Sequence, residues 1–540
     1  MARTFNLADL FEEVVDAAPE RTAVVAGDAR RTYRELDDRA TRLANHLVSI
    51  GVGRGDHVAV HAMNCVEWVE AFFACFKISA VPINVNHRYM ASELQYLYDN
   101  ADCVAVIVEP QFRDRLDAVL DDLANVRSVL EIGPQYEAAL AAASPERATA
   151  ADLGWERSDD DLYVLYTGGT TGMPKGVMWR HQDAFFAIMN AGRGNRPLDR
   201  PEDLGDEIRA AVAADAFQPT MMALGPMMHG GAQWALGNGV FMGAKFVLSC
   251  QARFDPHLIL QIAADEGVNS IATIGDAMVR PLAEALAEAP GKYDLSMLFA
   301  FGNGGAPLSA AVRAQMKAAA PNIAMNDAFG ASETGAAGAK VDAGEGYSAP
   351  RFVMSADTTV LDDDGNQCAV GVTGKLARSG HIPLGYYKDE AKTAATFPTY
   401  AGKRWVIPGD FARIEEDATV SLLGRGSVSV NSGGEKIYPE EVEAALKQHE
   451  SVFDAVVIGT PNDRWGEQVT AIVQLREGHT LTEADVQARS RAVLSDYKMP
   501  RTVLFIDVVQ RTPVGKSDYK WAKETALALI EAARVEAAGS

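Results

Sequence analysis

From about residue 32 the chain alternates segments that have a helical pattern of apolar residues with short apolar runs. Residues 33–51 place Leu36, Leu43 and Leu47 on one helical face, and residues 57–62 are typical of a buried strand. The same alternation continues with helices over 65–80 and 91–101 and strands over 81–86 and 103–109. It predicts an α/β fold, because parallel strands need helical crossovers that cover both faces of the sheet.

The pattern changes near residue 425, where a shorter α+β sequence begins and runs to residue 540. We therefore expect two domains. Residues 1–425 should form a large N-terminal domain with doubly wound mixed or parallel sheets, and residues 426–540 a small mobile α+β domain. The Ala-rich stretch over residues 137–154 is predicted to be a loop.

Composition narrows the class of protein. The net charge is −23, from 50 basic and 73 acidic residues, which disfavours binding to nucleic acid or to an anionic membrane. The N-terminus lacks the apolar region of a signal peptide, and no apolar run is long enough to span a bilayer, so we expect a cytoplasmic protein without integral membrane association. Free thiols are expected at the cysteines, which include no CxxC pair: Cys65, Cys75, Cys103, Cys250 and Cys368.

One stretch, YTGGTTGMPKG over residues 166–176, has the composition of an anion-binding loop. Between a predicted strand at 162–166 and a predicted helix at 182–190, its glycines and threonines would offer N–H and hydroxyl donors to phosphate. The P-loop pattern fails, because Met173 and Pro174 separate Gly172 from Lys175, and no GxGxxG follows a strand. An ordinary glycine-rich turn is the alternative for the loop taken alone.

This stretch closely resembles the core motif of the adenylate-forming family, which comprises acyl-CoA synthetases, adenylation domains of peptide synthetases and luciferases. Gly168 stands where that family more often has Ser. Four further segments resemble family motifs in the same order, at 326–335, 405–414, 424–443 and 511–520. The chain is identified as a member of this family. Its motif sequences are most similar to those of bacterial fatty-acyl-CoA synthetases, the AMP-dependent acid:CoA ligases.

The resemblance implies how ATP and Mg²⁺ are bound. Glu333 would be the magnesium ligand. Pro408 replaces a usual Thr before the ribose motif and removes one backbone donor. The implied ATP contacts are Thr167, Gly168, Gly169, Thr170, Thr171, Lys175 and Ser332 for phosphates, Gly304, Gly305, Ala306, Asp327, Phe329 and Gly330 for adenine, and Asp410 and Arg425 for ribose.

The C-terminal segment carries the remaining implied roles. Lys516 would be the catalytic lysine that bridges the carboxylate and the α-phosphate during adenylation. A loop comprising Gly433, Gly434, Glu435 and Lys436 would swing in afterwards and line the CoA tunnel. CoA is therefore expected as the acyl acceptor.

The acyl pocket is expected within residues 225–248. His229 matches the family's gate at the carboxylate and is counted with the catalytic residues, and Met228, Gly230 and Trp234 would line the pocket beside it. Because these surroundings are apolar and offer no partner for a charged substrate group, we expect a bulky hydrophobic acid, either a long-chain fatty acid or a steroid side-chain acid.

Two other functions remain as alternatives at this stage. An acyl-AMP ligase could load a free-standing acyl-carrier protein instead of CoA. A non-catalytic nucleotide-binding protein is disfavoured because Lys175, Glu333, Asp410, Arg425 and Lys516 occur together. Association into a homodimer is left open.

Overall fold

The computed structural model describes residues 3–167, 173–306, 308–340, 351–425, 428–432, 435–462, 466–491, 494, 496–512 and 515–539. The α-helices within these ranges are α1 Leu7–Ala17, α2 Tyr33–Ser49, α3 Val66–Lys77, α4 Ala91–Asn100, α5 Arg113–Leu120, α6 Pro134–Ala142, α7 Ala150–Leu153, α8 His181–Ala184, α9 Glu202–Ala213, α10 Gly230–Val240, α11 Pro256–Asp265, α12 Gly275–Glu288, α13 Ala310–Ala319, α14 Glu390–Thr396, α15 Pro439–Leu446, α16 Glu483–Arg491 and α17 Tyr519–Gly539.

The strands are numbered in the same way. They are β1 Thr22–Ala26, β2 Ala29–Thr32, β3 His57–His61, β4 Val81–Asn84, β5 Cys103–Val108, β6 Ser128–Glu131, β7 Leu162–Thr167, β8 Lys175–Arg180, β9 Thr220–Ala223, β10 Lys245–Leu248, β11 Ser270–Thr273, β12 Ala300–Asn303, β13 Ala324–Ala331, β14 Gly335–Lys340, β15 Arg351–Met354, β16 Thr358–Leu361, β17 Thr373–Arg378, β18 Gly385–Tyr386, β19 Thr399–Tyr400, β20 Lys403–Arg404, β21 Asp410–Ile414, β22 Val420–Arg425, β23 Val430–Ser432, β24 Glu435–Ile437, β25 Val452–Asn462, β26 Gly466–Leu475 and β27 Thr502–Ile506.

The first sheet has the architecture that the alternating pattern predicts. Its order is β4-β3-β5-β6, and every pairing is parallel. Val58 and Val60 are buried in one apolar cluster, whereas Ala59 and Val106 are buried in another. Both faces of the sheet are therefore covered, which explains why its strands read as continuous apolar runs.

The largest sheet is mixed. It has 13 strands in the order β16-β17-β21-β22-β15-β14-β13-β12-β11-β9-β10-β1-β2. The block from β13 to β1 is parallel, and the strands from β14 to β16 pair antiparallel. The carboxyl ends of the parallel strands meet at one edge, where ligands of open α/β sheets bind.

Two local predictions are corrected. Residues 134–142 and 150–153 of the Ala-rich region are helices rather than loop, because alanine is the best helix former and Thr149 caps the second helix. The helix predicted over residues 182–190 begins as the short helix α8. It continues as a π-helical segment over Phe185–Met189, a geometry that is rare and often found at functional sites.

The C-terminal part forms a separate five-stranded sheet. Its order is β24-β23-β26-β25, with β27 parallel to β26, and α15 and α17 pack against β25. The predicted large mixed-sheet part and smaller α+β part are thus confirmed as a fold class. The boundary at residues 425/426 stays a prediction. Within the described residues, the helices are all too short or too polar to cross a bilayer.

Candidate active site

The predicted phosphate loop closes a β-hairpin. Thr167, at the end of β7, pairs with Lys175 at the start of β8, so the loop joins two antiparallel strands and not a strand and a helix. Gly168, Gly169, Thr170 and Thr171 lie outside the described residues. The hairpin is closely packed, because a Cβ on Gly176 would stand 2.7 Å from Cε2 of Tyr166.

Lys175, the first residue of β8, forms an ion pair. Its amino group contacts the carboxylate of Asp389, which also caps the N-terminus of α14. The lysine Nζ lies 6.0 Å from the ring centroid of Tyr386. The side chains of Lys175 and Asp389 are 41% and 27% exposed, so this ion pair is partly screened by solvent.

Glu333 lies in the turn between β13 and β14, which contacts a three-stranded sheet with the order β18-β8-β7. The hydroxyl of Tyr386 donates to Oε1 of Glu333 at 2.9 Å, and Nε1 of Trp179 donates to the carbonyl of Ser332 at 3.0 Å. Tyr386 belongs to β18 and Trp179 to β8, which pair with each other. One small sheet therefore places both Lys175 and Glu333.

The described side chains around Glu333 are compatible with a magnesium site in which the protein supplies one carboxylate. In the described part of the chain, the acidic, His and Cys side chains do not form a cluster of three or more that could hold a metal ion. A single carboxylate suits Mg²⁺, which usually keeps waters and takes its other oxygens from substrate phosphates.

The predicted adenine residues are brought to neighbouring strands. Asn303 at the end of β12 pairs with Asp327 in β13, which places Gly304, Gly305 and Ala306 beside Asp327. A Cβ on Gly330 would be 2.3 Å from the carbonyl oxygen of Gly335, so glycine is required there. Phe329 packs against Phe352, with ring centroids 5.8 Å apart.

Asp327 has a protein partner that the sequence did not reveal. Its carboxylate forms an ion pair with Arg313 of α13 and accepts a hydrogen bond from Nδ2 of Asn303 at 3.3 Å. The carboxylate is buried, and a buried charge of this kind needs such partners. Arg313 thus fixes Asp327 beside the other predicted adenine residues.

The two predicted ribose ligands are direct neighbours. Asp410, the first residue of β21, pairs with Arg425, the last residue of β22. Asp410 is buried at this end of the sheet. Residues 15 positions apart in sequence are therefore placed side by side by strand register.

The predicted acyl-pocket residues gather at the start of α10, where His229 is the N-cap. Met228 is buried and Trp234 partly buried. A Cβ on Gly230 would be 2.5 Å from Cδ2 of Leu165, so α10 packs tightly against β7. The pocket segment therefore directly adjoins the strand that leads into the phosphate loop.

Burial keeps His229 neutral. Desolvation is the main cause that lowers the pKa of His229 to about 4, and the nearby positive charges of Lys516, His87 and Arg88 lower it further. Nε2 of His229 is buried and has no hydrogen-bond partner among the described residues. The imidazole can thus contact a ligand without carrying charge at neutral pH.

Three buried amide side chains hold the backbone of residues 225–229, and sequence reasoning missed them. Nδ2 of Asn84 donates to Met228 O at 2.7 Å and to Tyr166 O at 2.8 Å, and its Oδ1 accepts from Tyr166 N at 2.8 Å. Oδ1 of Asn64 accepts from Met227 N at 2.7 Å, and Nε2 of Gln233 donates to Met227 O at 2.9 Å. Single amides within otherwise apolar segments were the available signal, because buried polar groups require partners.

Lys516 approaches this site from the C-terminal sheet. Gly515, with φ +77°, lies against the start of α12, where an added Cβ would be 3.1 Å from Cβ of Ala277. The backbone N–H of Lys516 donates to Oγ1 of Thr512 at 3.0 Å, which closes the turn that carries the lysine. The contact of Gly515 with α12 therefore places the turn that carries Lys516 against the large domain.

The predicted CoA loop is described only in part. Gly433 and Gly434 lie outside the described residues. The backbones of Glu435 and Lys436 begin β24 and pair with Ser432 and Asn431. The assignment of this loop to CoA therefore stays a prediction.

Comparisons with known proteins agree with this geometry. The sequence model of the AMP-binding enzyme family matches residues 11–387, and that of the AMP-binding enzyme C-terminal domain matches residues 441–516. The chain is 45% identical to a 3-oxocholest-4-en-26-oate–CoA ligase of Rhodococcus rhodochrous, over 96% of this chain and 95% of that protein. It is 44% identical to a medium/long-chain-fatty-acid–CoA/3-oxocholest-4-en-26-oate–CoA ligase of Mycobacterium marinum, over 97% of both chains.

A solved structure supports the same fold. ATP-bound MatB from Rhodopseudomonas palustris superimposes with a TM-score of 0.80 at 26% identity, and the match covers 97% of this chain and 99% of that one. The chain belongs to the AMP-binding enzyme family. The predicted adenylate-forming ligase is thereby confirmed as family and enzyme class.

Proposed function

We propose that this protein is an AMP-forming acid–CoA ligase that activates a bulky hydrophobic acid. The observation that carries the proposal is that one three-stranded sheet holds both the cation Lys175 and, through Tyr386, the carboxylate Glu333, in a chain 45% identical to a 3-oxocholest-4-en-26-oate–CoA ligase. Such preorganised cations and donors stabilise charge that develops during reaction at a phosphate.

The reaction consists of two balanced steps. A carboxylate oxygen of the acid attacks the α-phosphorus of ATP, and the bond to the β-phosphate oxygen breaks, which releases diphosphate and leaves acyl-AMP. The CoA thiol then attacks the acyl carbon, its proton is lost, and AMP leaves with the electrons of the acyl–oxygen bond. Mg²⁺ bound at Glu333 would supply electrostatic neutralisation of the phosphates.

This chain's own residues have separate tasks in the proposal. Lys175 binds the leaving phosphates, and Asp410 and Arg425 hold the ribose. Lys516 neutralises the negative charge that gathers between the carboxylate and the α-phosphate. For the second step, rotation of the C-terminal domain would withdraw Lys516 and bring the predicted CoA loop, residues 433–436, towards CoA.

Two observations support a hydrophobic acid. His229 is neutral at the pocket, so it offers no cation to a second carboxylate on the substrate. The names of both relatives include the steroid acid 3-oxocholest-4-en-26-oate.

The test is CoA-dependent release of AMP with a panel of acids: acetate, octanoate, palmitate, a phenylalkanoate and steroid acids with side chains of different length. We expect turnover with palmitate or a steroid acid, and loss of about 100-fold or more in Lys516→Ala, as for removal of one charged transition-state contact. Lys520→Ala is the matched control, because Lys520 is exposed four residues further along the chain.

Three results would contradict parts of the proposal. Turnover restricted to acetate would contradict the hydrophobic acid. If the enzyme exchanges ATP and pyrophosphate but forms no CoA thioester, and transfers the acyl group to an acyl-carrier protein, then the acceptor is the carrier protein and not CoA. Absence of exchange with every acid would contradict acid activation itself.

A further inference from the structure

Arg280 connects helix α12 with the C-terminal sheet. Its Nη2 donates to the carbonyl oxygen of Phe453 at 3.2 Å, and its guanidinium carbon lies 4.3 Å from the centroid of the Phe453 ring. The Arg280 side chain is only 8% exposed. The planar guanidinium therefore contacts one residue through both its ring and its backbone, an arrangement that lysine cannot reproduce.

The same helix receives the turn that carries Lys516. Gly515 packs against Ala277, which lies three residues before Arg280 and hence on the same side of α12. Two contacts of one helix face thus fix the orientation of the C-terminal sheet. One holds the lysine turn directly, and the other holds strand β25.

Strand β25 is joined to the lysine turn by ionic and hydrogen bonds. Asp454, the neighbour of Phe453, accepts from Nε of Arg511 at 2.8 Å, and Nη1 of Arg511 donates to Oγ of Ser517 at 2.7 Å. Arg511 and Ser517 flank Lys516 and form an isolated β-bridge with each other. Movement of Phe453 is therefore coupled, through Asp454 and Arg511, to Ser517, the residue next to Lys516.

Burial of the Arg280 guanidinium costs free energy of desolvation, which its contacts must offset. Desolvation is the main cause that lowers the pKa of Arg280, and Oδ2 of Asp276 lies 3.5 Å from its Nη2. The carbonyl and ring of Phe453 provide compensation for that desolvation. If the C-terminal sheet rotated away from α12, both interactions would be lost.

We propose that Arg280 is a positioning residue for Lys516 that supports formation of the acyl-adenylate but not formation of the thioester. This inference rests on the proposed function, in which the two steps use different orientations of the C-terminal domain. Arg280 holds the first orientation only. Its loss therefore changes the two half-reactions unequally.

The experiment measures each half-reaction separately in the full-length enzyme. Adenylation is followed by ATP–pyrophosphate exchange with the best acid of the panel, and thioester formation is followed from the synthetic acyl-adenylate and CoA. We expect Arg280→Ala to lower kcat for exchange about tenfold, which corresponds to about 1.4 kcal/mol. KM for acid and ATP, and the rate from acyl-adenylate, should stay within about twofold of wild type, since Arg280 does not line either site.

Arg476→Ala is the matched control. The Arg476 guanidinium also faces the Phe453 ring, at 6.0 Å, but it belongs to the C-terminal part itself. It should therefore leave both half-reactions unchanged. Arg280→Lys should resemble Arg280→Ala, and Phe453→Leu tests the contact from the other side if Arg280→Ala does not fold.

Equal losses in both half-reactions, or an unchanged exchange rate in Arg280→Ala and Phe453→Leu, would overturn the inference. The same loss in Arg476→Ala would also overturn it. These outcomes require a wild-type enzyme that exchanges pyrophosphate and forms thioester. A wild type that does neither contradicts the proposed function instead.

Discussion

The hydroxyl of Tyr386 donates a hydrogen bond to Oε1 of Glu333 across 53 residues of sequence, at 2.9 Å. The same tyrosine ring faces Nζ of Lys175 at 6.0 Å. Tyr386 therefore joins the two groups to which we assign magnesium and phosphate binding. Its position depends on the pairing of β18 with β8.

Tyr386→Phe should weaken the use of magnesium. The change removes only the donor to a carboxylate, an interaction of about 1.5–3 kcal/mol, so the Mg²⁺ concentration for half-maximal pyrophosphate exchange should rise about tenfold. Tyr387→Phe is the control, because that hydroxyl donates to Asp102 instead, at 2.8 Å. An unchanged magnesium titration in Tyr386→Phe would contradict the role given to Glu333 and its partner.

Asp389→Asn should strengthen ATP binding slightly. The carboxylate of Asp389 competes with phosphate for Lys175, and a partly exposed ion pair contributes about 0–1 kcal/mol, so KM for ATP should fall by about two- to fivefold. The asparagine still accepts from the N–H of Lys392 and keeps the cap of α14. Glu390→Gln, an exposed neighbour, should not change KM. A rise in KM for ATP would mean that Asp389 helps Lys175 bind phosphate.

Asn84→Ala should destabilise the large domain. It leaves the carbonyls of Tyr166 and Met228 without their buried donor, at about 1–3 kcal/mol each, so the free energy of unfolding should fall by about 3 kcal/mol. Denaturant unfolding measures this change. Asn86→Ala, which removes one local contact to the N–H of Arg88, should cost about 0.5 kcal/mol. If the free energy of unfolding falls by similar amounts in the two variants, the buried hydrogen bonds of Asn84 do not stabilise the domain as proposed.

Glu440→Gln should remove one component of the pH dependence of stability. Burial is the main cause that raises the pKa of Glu440 to about 7, with Glu443 and Asp410 adding to it. A carboxyl whose pKa is raised on folding stabilises the protein fully below its unfolded pKa, and that stability is lost as pH rises towards 7. Wild type should therefore lose up to about 3 kcal/mol between pH 4.5 and pH 7 through this group, and Glu440→Gln should not.

Urea unfolding at pH 5 and pH 8 tests this difference. Glu524→Gln on the exposed face of α17 is the control and should follow wild type at both pH values. If Glu440→Gln has the same pH profile as wild type, folding does not raise the pKa of Glu440.

Much of the fold class followed from local patterns. The alternating apolar periodicities predicted α2, β3, α3, β4, α4 and β5, and the structure has each of them. The corrected expectations were also local. Ala-rich residues 137–154 were assigned by low complexity instead of helix propensity, and the phosphate loop was expected before a helix because Lys175–Arg180 was not recognised as a strand.

The sequence by itself determined the family of this protein, because each motif places its residue types within one short continuous segment. Tertiary structure alone decided which motifs meet. Asp410 stands beside Arg425 through strand register, Tyr386 reaches Glu333 through a small sheet, and Arg280 contacts Phe453 across 173 residues. Short-range sequence controls residue type and local conformation, whereas such pairings depend on how the whole core packs.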